Sequence, residues 1–331
     1  MTIALLLVIS SLLAACGSSD EEVLTVYSGR SENLIAPLLE DFTTSTGIEV
    51  EVRYGESADL ALLIDEEGDR SPADVFISQS PGAVGFLAER NILRPLDSEL
   101  LDLVPRRWRN AEGMWVGVSG RVRVLVYNED LVDESGLPDS VFELADEQYR
   151  GLIGLAPGNG SFQDFVTILR ETHGDDVALE WLTAMNDNEA VAYAGNSAIV
   201  QAVGRGEIPM GLVNHYYNHR ALAEDPSLPS RNHYFPSGDV GSVLIATAVG
   251  ILQSSDDSEL GARFVSFLLG DDAQMFLAGE TFEYPLALDV EPAVELPSLA
   301  VVGSALGDLD GLGGGLERTK ELIGESGLEA P

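Results

Sequence analysis

The chain has one cysteine in 331 residues, Cys16, so no intramolecular disulfide can form and cysteine-based zinc spacings are excluded. Basic residues are also scarce: 18 Lys and Arg stand against 55 Asp and Glu, a formal net charge of −37. Phosphate backbones are gripped by clustered Lys and Arg, so nucleic acid is excluded as a partner. The acidic excess reads as a solvated coat on a protein that faces solvent. Only four histidines are present, and neither HExxH nor GxSxG occurs. There is no internal repeat and no low-complexity domain.

The N-terminal apolar run, residues 3–15 (IALLLVISSLLAA), falls short of the roughly 20 residues a membrane-spanning helix needs. It fits the apolar region of a secretory signal. Leu13–Ala14–Ala15–Cys16 resembles the lipobox of bacterial lipoproteins, whose signal is cut before the cysteine that then carries lipid. No Lys or Arg precedes the run, the one feature of such a signal that is absent. The polar stretch GSSDEE after Cys16 reads as a tether. The expectation is a signal over 1–15, a tether over 16–22 lipidated at Cys16, and a soluble part held at a bilayer by acyl chains.

From residue 23 short apolar strands alternate with amphipathic helices. LTVYS, IEVEVRY and ADVFIS read as strands, separated by helices from NLIAPLLEDFTTSTG and SADLALLIDEEG and followed by a helix from PGAVGFLAERN. A long strand over 116–128 (VGVSGRVRVLVYN) precedes a second round of the pattern, and a second long strand is expected over 241–253. Such βαβ repetition predicts an α/β protein with mainly parallel sheets flanked by helices. Two units joined by two long strands predict two lobes, 23–121 with 247–297 and 122–246 with 298–331, around a cleft.

Ligands of open α/β sheets sit beyond the carboxyl ends of strands, where helices begin. YSGRSE, ISQS, GNGSF, GNSA and NHYYN fall there. GNGSF and GNSA place Asn159, Ser161, Asn196 and Ser197 at helix starts, where free N–H groups favour anions. The same residues would also serve as plain N-caps. Arg121 and Arg123, two apart on a strand, point to one face and can hold an anion or pair with the acidic coat.

Tyr216 and Tyr217 lie between Asn214–His215 and Asn218–His219. In a continuing strand one ring would be core; at a strand-to-helix junction both reach the cleft. Ionised phenols are hard oxygen donors that suit ferric iron, and only a strong local positive charge ionises a group whose reference pKa is about 10. His215 and His219, four apart, offer a weaker alternative as a zinc pair. Ser161 with His173 offers a hydrolase alternative, with no third group indicated.

These residues bring out a resemblance. VYSGRSE, EEGDRSPADVFISQ, SGRVRVLVYN, GNSAIVQAVGRGEIPMGLVNHYY and FEYPLA resemble the ferric-iron-binding proteins, the solute-binding components of iron ABC transporters. The resemblance implies a two-lobe periplasmic-binding-protein type II fold that closes on Fe3+ held with a synergistic anion, carbonate or phosphate. It implies Tyr216 and Tyr217 as iron ligands and Ser161, Asn196 and Asn214 as anion contacts. Ser31 and Gln79 stand where many members have a histidine and a glutamate ligand. Tyr27 and Tyr127 are then candidates for a third phenolate, and Arg30, Arg121 or Arg123 for an anion clamp. Implied too are a non-enzymatic monomer on the outer face of the cytoplasmic membrane and partnership with a permease and its ATPase. The same fold binding a phosphonate, a sulfur oxyanion or another small anion is the nearest alternative.

Overall fold

The computed structural model describes residues 22–287, 290–292, 294–302 and 315–328; Cys16 and the expected signal and tether up to residue 21 lie outside them. The chain opens as expected with β1 (Val23–Ser28), α1 (Glu32–Thr46), β2 (Glu49–Tyr54), α2 (Ser57–Glu67), β3 (Val75–Ser78) and α3 (Pro81–Glu89). A short α4 (Ser98–Leu101) leads to β4 (Val116–Asn128), whose 13 residues are all buried. The second round comprises β5 (Ile153–Leu155), α5 (Gly160–His173), α6 (Asp175–Asp187), β6 (Val191–Ala192), α7 (Asn196–Gly204), β7 (Met210–Asn214), α8 (His215–Glu224) and β8 (Ser230–His233). The chain then returns through β9 (Leu244–Ile251), α9 (Ser258–Leu268), α10 (Asp271–Gly279) and β10 (Tyr284–Pro285), and ends in α11 (Leu299–Val302) and α12 (Leu316–Glu325).

The strands run in the order β2-β1-β3-β9-β4-β7-β5-β6, with β8 and β10 also paired to β4. β1, β2 and β3 are parallel, as are β5, β6 and β7; β9 and β4 are antiparallel to their neighbours. Each lobe therefore has a parallel set with helices on it, and β4 runs through both. Val116–Val122 of β4 pair with β9, whereas Arg123–Tyr127 pair with β7. The partner changes between two adjacent residues. Beside that point, Arg123 donates its amide to the Val243 carbonyl at 3.0 Å.

The second long strand is shorter than its apolar pattern predicts. Val240–Ser242 form a 3-10 turn because the Asp239 carboxylate accepts from the Gly241 amide at 2.7 Å, and β9 begins only at Leu244. The C-terminal helix α12 packs on α5 and α6 of the second lobe, fixed by a 2.8 Å contact between Thr167 and Thr319 and by Arg318 donating to Asp175 at 2.8 Å.

The core is tight where α7 meets β7. A Cβ on Gly211 would lie 2.2 Å from the Ile199 methyl Cγ2. Gly211→Ala is therefore expected to cost about 1–3 kcal/mol through overpacking. A lowered urea midpoint with an unchanged slope would show it.

Candidate functional site

The carboxyl ends of β1, β3, β5 and β7 face one another across the junction of the lobes. β7 ends at Asn214 and α8 starts at the next residue, so the Tyr216 and Tyr217 rings leave the first turn of a helix rather than opposite faces of a strand. The rings stack with centroids 4.3 Å apart and planes 26° apart. Tyr216 is 1% exposed and Tyr217 half-buried. Neither phenol oxygen hydrogen-bonds to a described residue. Burial, with Tyr217 beside it, pushes the Tyr216 phenol well above its usual range, while Arg30 and Arg121 pull it down.

Around the tyrosines the anion candidates form one network. Arg123 Nη1 donates to Asn196 Oδ1 at 3.2 Å and Asn214 Oδ1 at 3.0 Å. Asn214 Nδ2 donates to Ser161 Oγ at 3.0 Å, and Asn196 Nδ2 to Asn159 Oδ1 at 3.1 Å. The same Asn159 oxygen accepts from the Ser161 amide at 3.1 Å, so capping and network are both true of this residue. Arg123 is 1% exposed, yet its Nε and Nη2 have no partner among the described residues, nor does Nε of the fully buried Arg121. Burial, with Arg121 next to it, drops the Arg123 pKa to about 9. Three buried guanidinium nitrogens without acceptors among the described residues are a costly arrangement that a bound oxyanion would relieve.

The first lobe supplies Arg30. Its guanidinium forms two 2.9 Å bonds with Glu283, which also accepts from Ser119 Oγ at 3.0 Å and Thr281 Oγ1 at 3.3 Å. Burial opposes the Arg30 charge, but Glu283 and the two tyrosines outweigh it and raise its pKa. Arg121 reaches Thr247 Oγ1 at 3.4 Å and Asp164 Oδ2 at 3.3 Å. Asp164 lies in the seam between lobes, with the Ser80 hydroxyl beside its carboxyl; burial raises its pKa and Arg121 opposes that. Three guanidiniums thus face two carboxylates here, a local positive excess in a strongly acidic chain. Glu283 lies in the FEYPLA stretch, but nothing local marks it as the partner of Arg30, and Asp164 shows only as a charge one helical turn after Ser161.

The remaining candidates fall in two groups. Ser31, the N-cap of α1, and Tyr217 line a cavity of about 300 Å3 between α1 and the pair α7 and α8, together with Asn33, Gln201 and Arg220. Gln79 sits at the end of β3, where its amide donates to Ser57 Oγ at 2.9 Å. Tyr27 and Tyr127, considered as further phenolates, are elsewhere. Tyr27 donates to Glu67 at 3.1 Å beneath Arg53. Tyr127 pairs with Met210 at the start of β7, four residues and about 13 Å from the end that carries the tyrosine pair. Its neighbours are Glu134, Glu129 and Arg231.

Two alternatives are corrected by geometry. His215 cannot join a zinc pair, because both ring nitrogens are used: Nδ1 accepts from the Val122 amide at 3.1 Å and Nε2 contacts the Phe282 carbonyl at 2.8 Å. Burial, with His219 beside it, lowers its pKa to about 3. Among the described residues no group of three His, Cys, Asp or Glu could hold a metal. Ser161 and His173 lie at opposite ends of α5, about 18 Å apart along its axis, so they cannot act as nucleophile and base.

Known proteins share this architecture. The chain is 30% identical to the Fe(3+)-binding periplasmic protein of Serratia marcescens, over 97% of this chain and 96% of that one. It is 31% identical to the major ferric iron-binding protein of Neisseria meningitidis, with 92% and 93% covered. The iron-bound HitA structure from Pseudomonas aeruginosa superposes with a TM-score of 0.86 at 31% identity, covering 92% of this chain and 99% of that one. Residues 70–301 match the bacterial extracellular solute-binding protein family, and the chain belongs to it.

Proposed function

We propose that this protein is the extracytoplasmic solute-binding component of an ABC importer. It takes ferric iron into the seam between the lobes, with Tyr216 and Tyr217 as phenolate ligands and a small oxyanion, carbonate or phosphate, at Arg123 and Ser161. The observation that carries the reading is the stacked tyrosine pair beside buried arginine N–H groups; neither the phenol oxygens nor these N–H groups find a hydrogen-bond partner among the described residues. Burial keeps the Tyr216 phenol protonated in the metal-free protein; a trivalent cation beside it reverses that preference. From the first lobe, Ser31 lines the cavity beside Tyr217, Gln79 stands at the end of β3 and Arg121 is buried near Tyr216, while Asn159 holds Asn196 in place.

No bond in the ligand breaks, so binding and release are the whole of the chemistry. Lobes 23–121 with 247–297 and 122–246 with 298–331 close because the ligand touches both. β4, continuous through both sheets, and the entry to β9 form the hinge. The loaded monomer then docks on a permease served by an ATPase. Cys16, acylated, would hold it to the outer face of the cytoplasmic membrane.

Ferric citrate added with bicarbonate or phosphate is expected to produce a visible phenolate-to-iron band, and omission of both anions to weaken it. A colourless protein that binds phosphate or a phosphonate alone would favour the receptor for small anions instead.

A further inference from the structure

The imidazole of His215 occupies an unusual place. Its Nδ1 accepts the amide of Val122, the last residue of β4 that pairs with β9 before the strand changes partner. An acceptor at Nδ1 fixes the neutral tautomer with hydrogen on Nε2, which then donates to the Phe282 carbonyl at 2.8 Å. Phe282 belongs to the first lobe, between α10 and β10, and holds φ at +58, a left-handed conformation strained for a bulky side chain. The strained turn aims two groups in succession: the Phe282 carbonyl at His215 and the Glu283 carboxylate at Arg30. His215 is itself followed by Tyr216. One ring therefore joins the hinge strand, the turn that holds Arg30 and the helix start that carries the tyrosine pair. Ring contacts reinforce the junction, with Tyr284 at 5.2 Å from His215 and Phe282 stacked on His219 at 6.1 Å.

We infer that His215 is the positioning residue that couples the tyrosine pair to the hinge, a pivot kept in both open and closed states. Groups near a rotation axis move least, and this one sits at the strand's change of partner. The inference rests on the proposed binding of iron by Tyr216 and Tyr217. A donor at one end and an acceptor at the other are both required, which leucine cannot supply and glutamine can.

The full chain is tested as His215→Leu and His215→Gln. Each is loaded with ferric citrate, and loss of the visible band to excess EDTA is timed. Leucine is expected to speed iron loss at least about tenfold, and glutamine to recover most of that, with the metal-free melting temperature of the glutamine variant near wild type. Equal rates for the two variants, or a wild-type rate in a folded leucine variant, would overturn the assignment. A variant-free measurement covers the case in which leucine does not fold. Imidazole 15N resonances of the wild type, recorded with and without gallium(III) as a diamagnetic stand-in, should show His215 protonated only at Nε2 and unchanged on loading. Protonation at Nδ1, or a change on loading, contradicts the pivot. If wild type shows no band with ferric citrate, the iron reading fails instead, and the metal-free 15N spectrum still reports on the junction.

Discussion

Replacing Glu283 with glutamine is expected to destabilise the protein by about 3–5 kcal/mol, the cost of leaving one partner of a buried ion pair uncompensated. Both side chains of the Arg30–Glu283 pair are 1% exposed, and the carboxylate takes four donors. Glutamine offers one acceptor oxygen where two are used, and its amide donors would face other donors. Arg30 would then keep its charge buried, with Thr247 Oγ1 at 3.4 Å and the tyrosine pair beside it. Replacing Arg30 and Glu283 together with apolar residues of similar volume removes both the charge and its partner, so the double variant should be more stable than Glu283→Gln alone. Urea unfolding at neutral pH measures both. A glutamine variant as stable as wild type would mean that the pair contributes nothing to the fold.

Tyr216→Phe and Tyr217→Phe are expected to act in the opposite way. Neither phenol oxygen bonds to a described residue, so the metal-free protein should stay within about 0.5 kcal/mol of wild type. Ferric binding should weaken at least about tenfold in each, or about 1.4 kcal/mol, because each loses one phenolate ligand. The visible band should bleach or shift to the blue. Unchanged binding in either variant would remove that oxygen from the metal. The two expectations contrast: loss of Glu283 should act on the fold through Arg30, and loss of either proposed tyrosine ligand on the ion and hardly on the fold.

Much of this architecture could be read from local pattern. The run over 116–128 became a single strand because apolar residues alternate with small or polar ones up to Arg123 and then run on through Val124–Tyr127, and both lobes bury it. The helix starts at GNGSF and GNSA were visible from small polar residues before apolar periodicity, and they converge on Arg123. What local pattern could not show was which distant group answers each charge. Arg30 and Glu283 are 253 residues apart, and no spacing rule joins them. His215 and His219 have the spacing of a ligand pair, but His215 turns both nitrogens to backbone groups that the sheets bring in from elsewhere. Tyr27 and Tyr127 were plausible ligands by residue type alone; strand register directs one to Glu67 and the other to the far end of β7.

Iron capture as proposed requires two adjacent phenol oxygens to share one ferric ion between the lobes. Anomalous diffraction at the iron edge, from crystals grown with ferric citrate and bicarbonate, tests it most directly. One strong peak within bonding distance of both the Tyr216 and Tyr217 oxygens is expected. A peak bonded to only one of them, or placed outside the seam, would contradict it.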